Sequence, residues 1–555
     1  MFASLRGYQK AWLRGDLIAG LTVWAVLVPE SLAYASIAGV SPVVGLYAAP
    51  GALLLYAALG SSRHLIAGPM SATAALSAAT VASIVPLGDS KFVAMTAGLA
   101  IATGLAALIA GLLRLGFLAS FISEPVIKGF IVGLALTIII GQVPKLFGVP
   151  KGEGDFFEQA WDFLSHLGDT DLLTLVVGLG SLAVVLGLRR VAPVVPGSLA
   201  AVLLGIAAVA ALDLNVDIVG HIDGGLPSLG LPDLSLHQFG QLASGGVAVM
   251  LVGFAEGLGA AKTYAAREHY EIDTNRELLG LGGANLAAGL SSGMVVNGSL
   301  SKTAVNGGAG AHSQLSGLIV AALTIVTLLV LTGLFEQLPE ATLAAVVIAA
   351  VIELVDVGAL IKLYHDATRG LNRVAARPDF IAAVAAMLGV LVFDTLPGLF
   401  IGISMSLGLL LYRASRPYVA TLGRVPGSEQ YGDIFRHPEN RAPEGVPVLR
   451  VEGGVYFANA DAIRGHIMRA ASADGVRAVV LDAGTIPFVD VTAARMLGEL
   501  AGDLRRRGIE VLIVRDVGQV RDLLGREAPD PALQHVYPSV QAAVDAAAGR
   551  PRVSA

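Results

Sequence analysis

The sequence contains no cysteine and few charged residues, and both shortages restrict what the protein can be. Without cysteine, disulfides and thiolate metal sites are excluded. Charged residues make up 14% of the 555 residues, whereas soluble globular domains carry about 25%. Because 55% of the chain is hydrophobic and its mean hydropathy is +0.71, the excess of apolar side chains is expected to face lipid.

Concentrated positive charge is also missing. The formal net charge is −6 and no basic tract stands out, which argues against nucleic acid as a partner. The N-terminal region has Arg6, Lys10 and Arg14 before a long apolar segment, without the small-residue cleavage pattern of a signal peptide. We interpret this segment as a first membrane span that is entered from the cytoplasm.

Long apolar segments between about residue 15 and residue 415 predict an α-helical polytopic protein of the cell (inner) membrane. A spanning helix needs roughly 20 apolar residues, which gives about 14 candidate spans. Arg63, Arg189, Lys262 and Arg413 fall in alternate loops, as the positive-inside rule requires of cytoplasmic loops. Both termini are therefore predicted to be cytoplasmic, and the lipid bilayer is the first predicted partner.

An internal repeat divides the apolar region. Residues 68–74 and 298–304 share Gly, Ser, Thr and Ala at the same spacing, and Glu30-Ser-Leu upstream of the first resembles Glu256-Gly-Leu upstream of the second. Two copies of seven spans would have opposite orientations, because seven is odd. Such inverted repeats are typical of secondary transporters. The predicted copies cover about residues 14–213 and about residues 243–416.

The shared stretches predict a binding site for an anion. Each begins a helix too short to cross the membrane, and a helix start carries roughly +0.5 of an elementary charge. Ser71 and Thr73 can donate from one copy, and Ser299 and Ser301 from the other. Lys302 adds a positive charge, and a lysine within a membrane is usually functional. The alternative is that the small residues only permit close helix packing.

Two carboxylates lie within predicted spans. Glu30 follows Pro29 in span 1, and Glu256 lies among glycines in span 8. A carboxylate there is costly unless it is paired, hydrated or protonated. We interpret Glu256 as the binding site of a proton, or less readily of sodium, that travels with the anion; a structural ion pair of Glu256 with Lys302 is the alternative. Glu30 is interpreted as a residue at a helix break that lines the cavity.

The composition changes after Arg416. Residues 417–445 are rich in proline, glycine and charge and are interpreted as a linker with a lead-in strand. Residues 446–548 alternate short strands and helices, which predicts a cytoplasmic α/β domain. Thr492 precedes a predicted helix at 493–507, where it would be a phosphorylation site or, more simply, an N-cap. No phosphate-binding glycine loop, metal-ligand cluster or nucleophile–base pair is evident, so no cofactor, metal site or enzyme activity is predicted.

Several motifs resemble one transporter family. The run from Pro42 through Gly45-Leu-Tyr47 to Gly60-Ser-Ser-Arg63 is similar to the signature of the SulP sulfate permeases (solute carrier family 26), apart from Val44, where tyrosine is usual. The run 299–306, Ser-Leu-Ser-Lys-Thr-Ala-Val-Asn, is similar to the same family. The C-terminal domain is similar to the STAS domain that ends most SulP proteins. The resemblance covers nearly the whole chain.

The resemblance implies two seven-span inverted repeats arranged as a core and a gate domain, usually in a homodimer. It implies a substrate site between spans 1, 3, 8 and 10, and it places an acidic coupling residue at Glu256.

Glu30 stands where glutamine is common in the family and Lys302 where arginine is common, so the identity of the transported anion is left open. Sulfate, bicarbonate and a dicarboxylate are candidates, and an uncoupled exchanger or channel is an alternative. Ala260 replaces the hydroxyl residue of sodium-coupled relatives and favours a proton. By position, the implied substrate residues are Glu30, Ala33, Tyr34, Ser71, Ala72, Thr73, Ser299, Leu300, Ser301 and Lys302.

Overall fold

The computed structural model divides the chain into two compact units, Met1–Leu407 and Gly408–Ala555. Each unit is described below by itself. The described residues are 2–5, 7–117, 123–152, 154–192, 195–222, 224–352, 355, 357–368, 373–393, 395–528, 530, 533 and 535–549.

Helices dominate the first unit, and each half also contributes one short strand. The first half contains β1 (Ile66–Gly68) and the helices α1 (Leu13–Ile37), α2 (Pro42–Leu59), α3 (Ser71–Ala82), α4 (Phe92–Leu112), α5 (Glu124–Phe147), α6 (Phe156–Ser165), α7 (Leu172–Val191) and α8 (Gly197–Leu212). The second half contains β2 (Asn297–Ser299) and the helices α9 (Leu236–Arg267), α10 (Thr274–Leu290), α11 (Leu300–Gly308), α12 (Leu315–Val326), α13 (Glu340–Ile352), α14 (Val357–Thr368), α15 (Arg373–Phe393) and α16 (Thr395–Ala414), the last of which continues into the second unit.

Among the described residues, seven helices are long and apolar enough to cross a membrane, and four shorter apolar helices accompany them. The predicted count of 14 spans stays a prediction. It depends on α3 and α11, which have 12 and 9 residues. At about 1.5 Å per residue these helices are roughly 18 Å and 14 Å long, shorter than the hydrocarbon core of about 30 Å. They are half-helices, as the sequence predicts.

The strands β1 and β2 join the two halves. They pair antiparallel, with Ile66 opposite Ser299 and Gly68 opposite Asn297. Each strand leads directly into its half-helix, α3 or α11. The antiparallel pairing of equivalent segments agrees with the predicted inverted repeat, because a two-fold axis in the membrane plane relates segments in this way.

Glycine permits close approach between the helices around these strands. α4 packs on α10, where a Cβ on Gly104 would lie 2.7 Å from the backbone nitrogen of Leu286. α5 packs on α15, where a Cβ on Gly129 would overlap the carbonyl of Ala383. Small residues at such contacts let helix backbones pack closely in lipid.

The second unit contains a six-stranded sheet with helices on both faces. The strands are ordered β4-β3-β5-β6-β7-β8, and the last four are parallel. Helices α17 to α19 pack against one apolar face of the sheet and α20 against the other. The elements are β3 (Tyr418–Arg424), β4 (Tyr431–Asp433), β5 (Val448–Glu452), α17 (Ala460–Ala471), β6 (Ala478–Asp482), α18 (Val491–Arg506), β7 (Glu510–Val514), α19 (Gly518–Glu527), β8 (Val536–Tyr537) and α20 (Val540–Ala548).

Two expectations for this unit differ from the structure. The segment 417–445, interpreted as a linker with a lead-in strand, supplies two strands to the sheet, β3 and β4. Its strand character comes from Ala420 and Leu422, which alternate with less buried residues and enter the core. The strand predicted at 454–457 is wrong, because only Val455 forms a bridge there, to Val489.

Candidate functional site

The two half-helix starts lie side by side because their lead-in strands are paired. The N-cap of α11 is Ser299, whose hydroxyl accepts a hydrogen bond from the backbone of Lys302 (3.3 Å). The backbone N–H of Ile66 in β1 donates to the Thr303 hydroxyl in the first turn of α11 (3.2 Å). The strands therefore fix the position of each helix start relative to the other.

Lys302 crosses from α11 to the other repeat. Its ammonium lies 2.9 Å from Oε2 of Glu30 and donates to the carbonyl of Pro69 at 2.9 Å. It also lies 5.0 Å from the ring centre of Tyr34, within cation–π range. The Lys302 side chain is 0% exposed and that of Glu30 is 7% exposed. A buried charge of this kind requires a partner, and Glu30 supplies it.

The structure does not give all predicted substrate residues the same surroundings. Glu30 and Ser301 line one open cavity, and the Ser301 hydroxyl lies 3.1 Å from that of Ser299. Thr73 lines a different, smaller cavity, and its hydroxyl donates to the carbonyl of Met70. The remaining predicted residues divide into buried Ala33, Tyr34, Ser71 and Ala72 and exposed Leu300.

Sequence reasoning missed part of this cavity. Its lining also includes Arg189 from the last turn of α7 and Ser198 from the first turn of α8. Arg189 donates to the carbonyl of Ala349 on α13 at 3.3 Å. In the sequence Arg189 stands out only as a basic residue next to a loop, and nothing in its spacing indicates a cavity.

Glu256 lies elsewhere, so the alternative of an ion pair between Glu256 and Lys302 is wrong, because Lys302 pairs with Glu30. On the face of α9 that carries Gly253 and Gly257, the helix packs against Asn297 of β2. Glu256 directly precedes Gly257 but has different neighbours. It lines a cavity with Phe130 of α5 and Gly402 of α16, and its Oε2 is buried without a hydrogen-bond partner among the described residues. The other residues that line this cavity are apolar.

Two smaller expectations also need correction. Pro29 does not break α1, which continues from Leu13 to Ile37, although Glu30 does line a cavity as predicted. Thr492 is not the cap of its helix. The N-cap of α18 is Asp490, whose carboxylate accepts from the backbone of Ala493 at 2.8 Å, and Thr492 lies exposed in the first turn.

Paired half-helices from two inverted halves, beside a buried lysine, define the class of the protein as a membrane transporter. Comparison with known proteins gives the family. The model of the Sulfate permease family matches residues 13–372, and that of the STAS domain matches residues 437–543. The chain belongs to the sulfate permease family, which consists of membrane transporters and not of enzymes.

Similar proteins share this organisation over most of their length. A probable sulfate transporter of Mycobacterium tuberculosis is 35% identical over 524 residues, which cover 94% of this chain and 92% of that protein. High affinity sulfate transporter 1 of Stylosanthes hamata is 28% identical over 541 residues, with coverage of 92% and 79%.

Solved structures share the fold. The murine Solute Carrier 26 family member A9 anion transporter in the inward-facing state has a TM-score of 0.87 at 23% identity, and the match covers 98% of this chain and 93% of that one. The transmembrane domain of a cyanobacterium bicarbonate transporter has a TM-score of 0.63 at 24% identity and covers 71% of this chain and 98% of that one. At identities this low, the likeness shows the fold alone.

Proposed function

We propose that the protein carries sulfate across the membrane together with a proton, by alternating access. The observation that carries this proposal is the buried ion pair of Lys302 with Glu30 beside the starts of α3 and α11. A fixed positive charge next to two helix starts attracts an anion. Relatives named sulfate transporters support the choice of sulfate.

Charge balance supports co-transport of a proton. Lys302 and two helix starts of roughly +0.5 charge each make about two positive charges. In this structure the carboxylate of Glu30 neutralises part of that charge, because it lies 2.9 Å from the ammonium of Lys302. Sulfate carries two negative charges and would compete with Glu30 for Lys302. Uptake of a proton lowers the cost of holding sulfate and two carboxylates in the same low-dielectric region.

In this proposal Glu256 binds the proton. Its Oε2 is buried without a hydrogen-bond partner among the described atoms and faces Phe130 and Gly402. A charged carboxylate in apolar surroundings is costly within a membrane. Glu256 lies on α9, whose Gly257 packs next to Asn297 in the strand that leads into α11. A change at Glu256 can therefore reach the anion site through α9 and β2.

In the same proposal the protein lies in the cell (inner) membrane, and both of its termini are cytoplasmic. Arg189 and Arg190 end α7, Arg267 ends α9 and Arg413 lies in the last turn of α16, as expected of helix ends on the cytoplasmic side. The proposed bounds are residues 1–416 for transport and 446–548 for the STAS domain, to whose sheet residues 417–445 add β3 and β4. The homodimer follows from the family resemblance. Thr492 is retained as a proposed phosphorylation site, supported by its exposure.

Uptake of radiolabelled sulfate into proteoliposomes tests the proposal. Wild-type protein is expected to accumulate sulfate when an inward proton gradient is imposed, and Glu256→Gln is expected to lose the response to the gradient. Sulfate flux that ignores both the gradient and the substitution would contradict proton coupling and favour an exchanger or channel.

One observation favours a second class of substrate. The group that Lys302 binds in this structure is a carboxylate, that of Glu30. A bicarbonate ion or a dicarboxylate carries the same group and would fit the same contact. Uptake of radiolabelled sulfate, bicarbonate and a dicarboxylate, measured separately, distinguishes the two proposals. Uptake of bicarbonate or a dicarboxylate, without any sulfate flux, would assign the site to a carboxylate substrate.

A further inference from the structure

The end of α16 has the residue types that are expected at a membrane–water interface. Leu410 and Leu411 are 49% and 66% exposed, as expected of side chains that face lipid. They are followed by Tyr412, Arg413 and Arg416, and the guanidinium of Arg416 lies 4.7 Å from the ring centre of Tyr412. Aromatic and basic residues collect where a span leaves the hydrocarbon. The last turn of α16 therefore lies at the level of the lipid headgroups.

A loop of the STAS domain is attached to this helix end. The carbonyl of Ala414, the last residue of α16, accepts hydrogen bonds from the hydroxyl of Tyr456 (3.1 Å) and from the amide of Asn459 (3.3 Å). The last carbonyls of a helix have no partner within the helix, so these two side chains cap it. All of these residues belong to the same compact unit.

Exposed apolar side chains surround the capping tyrosine. The ring of Phe488 is stacked on that of Tyr456 with centroids 5.8 Å apart, and the ring of Phe457 lies 6.1 Å from it. Phe457 is 72% exposed and Phe488 49%. We call Tyr456, Phe457 and Phe488 the aromatic face. Large apolar groups that cluster in this way on a surface mark an interaction site.

The aromatic face is held in a fixed arrangement. Val455 donates its backbone N–H to the carbonyl of Phe488 and accepts from that of Asp490, both at 3.1 Å. The carboxylate of Asp490 accepts from the backbone of Phe457 at 2.9 Å. A Cβ on Gly454 would lie within 2.6 Å of the Phe488 ring, so glycine is needed for this ring position. The rings are thus ordered without a partner, which lowers the entropic cost of binding.

We propose that the aromatic face inserts into the headgroup layer of the bilayer beside α16 and holds the STAS domain against the lipid surface. The headgroup layer is roughly 5–7 Å thick on each side of the hydrocarbon. The aromatic face is connected through one hydrogen bond and one ring stack to a residue at that level. Aromatic side chains prefer this layer, and Arg413 and Arg416 complement anionic headgroups.

Because the chain has no cysteine, a single introduced thiol can report on the contact in the full-length protein. Phe457→Cys and Phe488→Cys are each labelled with an environment-sensitive fluorophore and reconstituted into nanodiscs. The matched control is Phe435→Cys, which follows β4 in the same unit and is 84% exposed. Lipids with a spin label in the headgroup are expected to quench positions 457 and 488 at least threefold more strongly than position 435.

Equal quenching at the three positions would overturn the proposal. A fluorophore that is shielded from water at 457 and 488 but is not quenched by spin-labelled lipid would also overturn it, because the face would then contact protein, such as a second copy of the chain. A second variant tests whether the position of the Phe488 ring matters. Gly454→Ala, which displaces Phe488, is expected to reduce quenching at 457 at least twofold, whereas Gly465→Ala on α17 leaves it unchanged.

Discussion

The two half-helix starts are related in sequence but differ in what surrounds them. The start of α3 has no side-chain cap, and Ser71 and Thr73 are buried, with the Thr73 hydroxyl bonded to its own loop. The start of α11 is capped by Ser299 and presents Ser301 to a large cavity. It also provides Lys302, which reaches back to the other repeat.

This difference indicates that the two copies of an inverted repeat can contribute unequally to a ligand site. Both starts contribute the partial charge of a helix end, but the full charge and the exposed hydroxyl come from α11. The first repeat contributes the opposing carboxylate, Glu30 on α1, and the carbonyl of Pro69. We therefore expect substitutions in the second repeat to affect anion binding most.

The largest effect is expected from Lys302→Gln. This change removes the site's positive charge and leaves the carboxylate of Glu30 buried without its partner. Breaking a buried ion pair costs about 3–5 kcal/mol, so the thermal unfolding temperature of the purified protein should fall and uptake should be lost.

The double variant Glu30→Gln with Lys302→Gln separates the two effects. It removes both charges, so thermal stability should return towards the wild-type value while uptake stays absent. If the double variant were as unstable as Lys302→Gln, the ion pair would not be the cause of the instability.

Ser301→Ala compared with Ser71→Ala tests the asymmetry of the hydroxyl groups directly. Ser301 lines the cavity, and a hydrogen bond to a charged ligand contributes about 1.5–3 kcal/mol, so KM for the anion should rise roughly 10-fold or more. Ser71 is buried, and its variant should change KM much less. Equal increases in KM would mean that both repeats bind the anion alike.

A matched glycine pair on α9 tests how the second half-helix is supported. A Cβ on Gly257 would lie 3.0 Å from Oδ1 of Asn297, whereas one on Gly259 would meet no atom within 4 Å. Gly257→Ala should displace β2 and reduce uptake several-fold. Gly259→Ala should preserve uptake and raise stability slightly, by up to about 1 kcal/mol. Similar uptake by the two variants would contradict the idea that α9 supports the second half-helix.

The smallest expected effect concerns His64, in the loop between α2 and β1. Its Nε2 donates to the carbonyl of Ala311 at 3.0 Å, and its Nδ1 lies 3.1 Å from the Tyr270 hydroxyl. Burial lowers the pKa of His64 below the usual 6.5, so the unfolded chain binds more protons and stability falls as pH drops below about 6.5. His64→Gln should reduce this loss by about 2 °C between pH 7 and pH 5.5 in a thermal scan. An unchanged pH dependence would exclude His64 as a contributor.

The sequence predicts the half-helices because their starts need small and hydroxyl residues at a fixed spacing, and that pattern is visible at 68–74 and 298–304. It cannot predict which carboxylate pairs with Lys302. Both Glu30 and Glu256 occupy similar places in their repeats, and the rotation of α1 and α9 about their axes decides between them. That rotation depends on packing, such as Gly257 against Asn297.

In the C-terminal region, too, the sequence predicts local elements better than it predicts which elements pair. The helix predicted at Ala460–Ala471 is confirmed, because its apolar residues recur at helical spacing. A lead-in strand is predicted within 417–445, but its partners are not. β3 pairs with β4 and with β5, and β5 lies more than twenty residues further along the chain. Local composition does not show such a pairing.

Direct binding of radiolabelled sulfate to the purified protein tests the central claim, that the transported anion and Glu30 compete for Lys302. At neutral pH we expect Glu30→Gln to bind sulfate at least 10-fold more tightly than wild type, since about 1.4 kcal/mol of competition corresponds to that factor. Lys302→Gln should show no binding. Wild-type affinity in Lys302→Gln, or weaker binding in Glu30→Gln, would contradict the account.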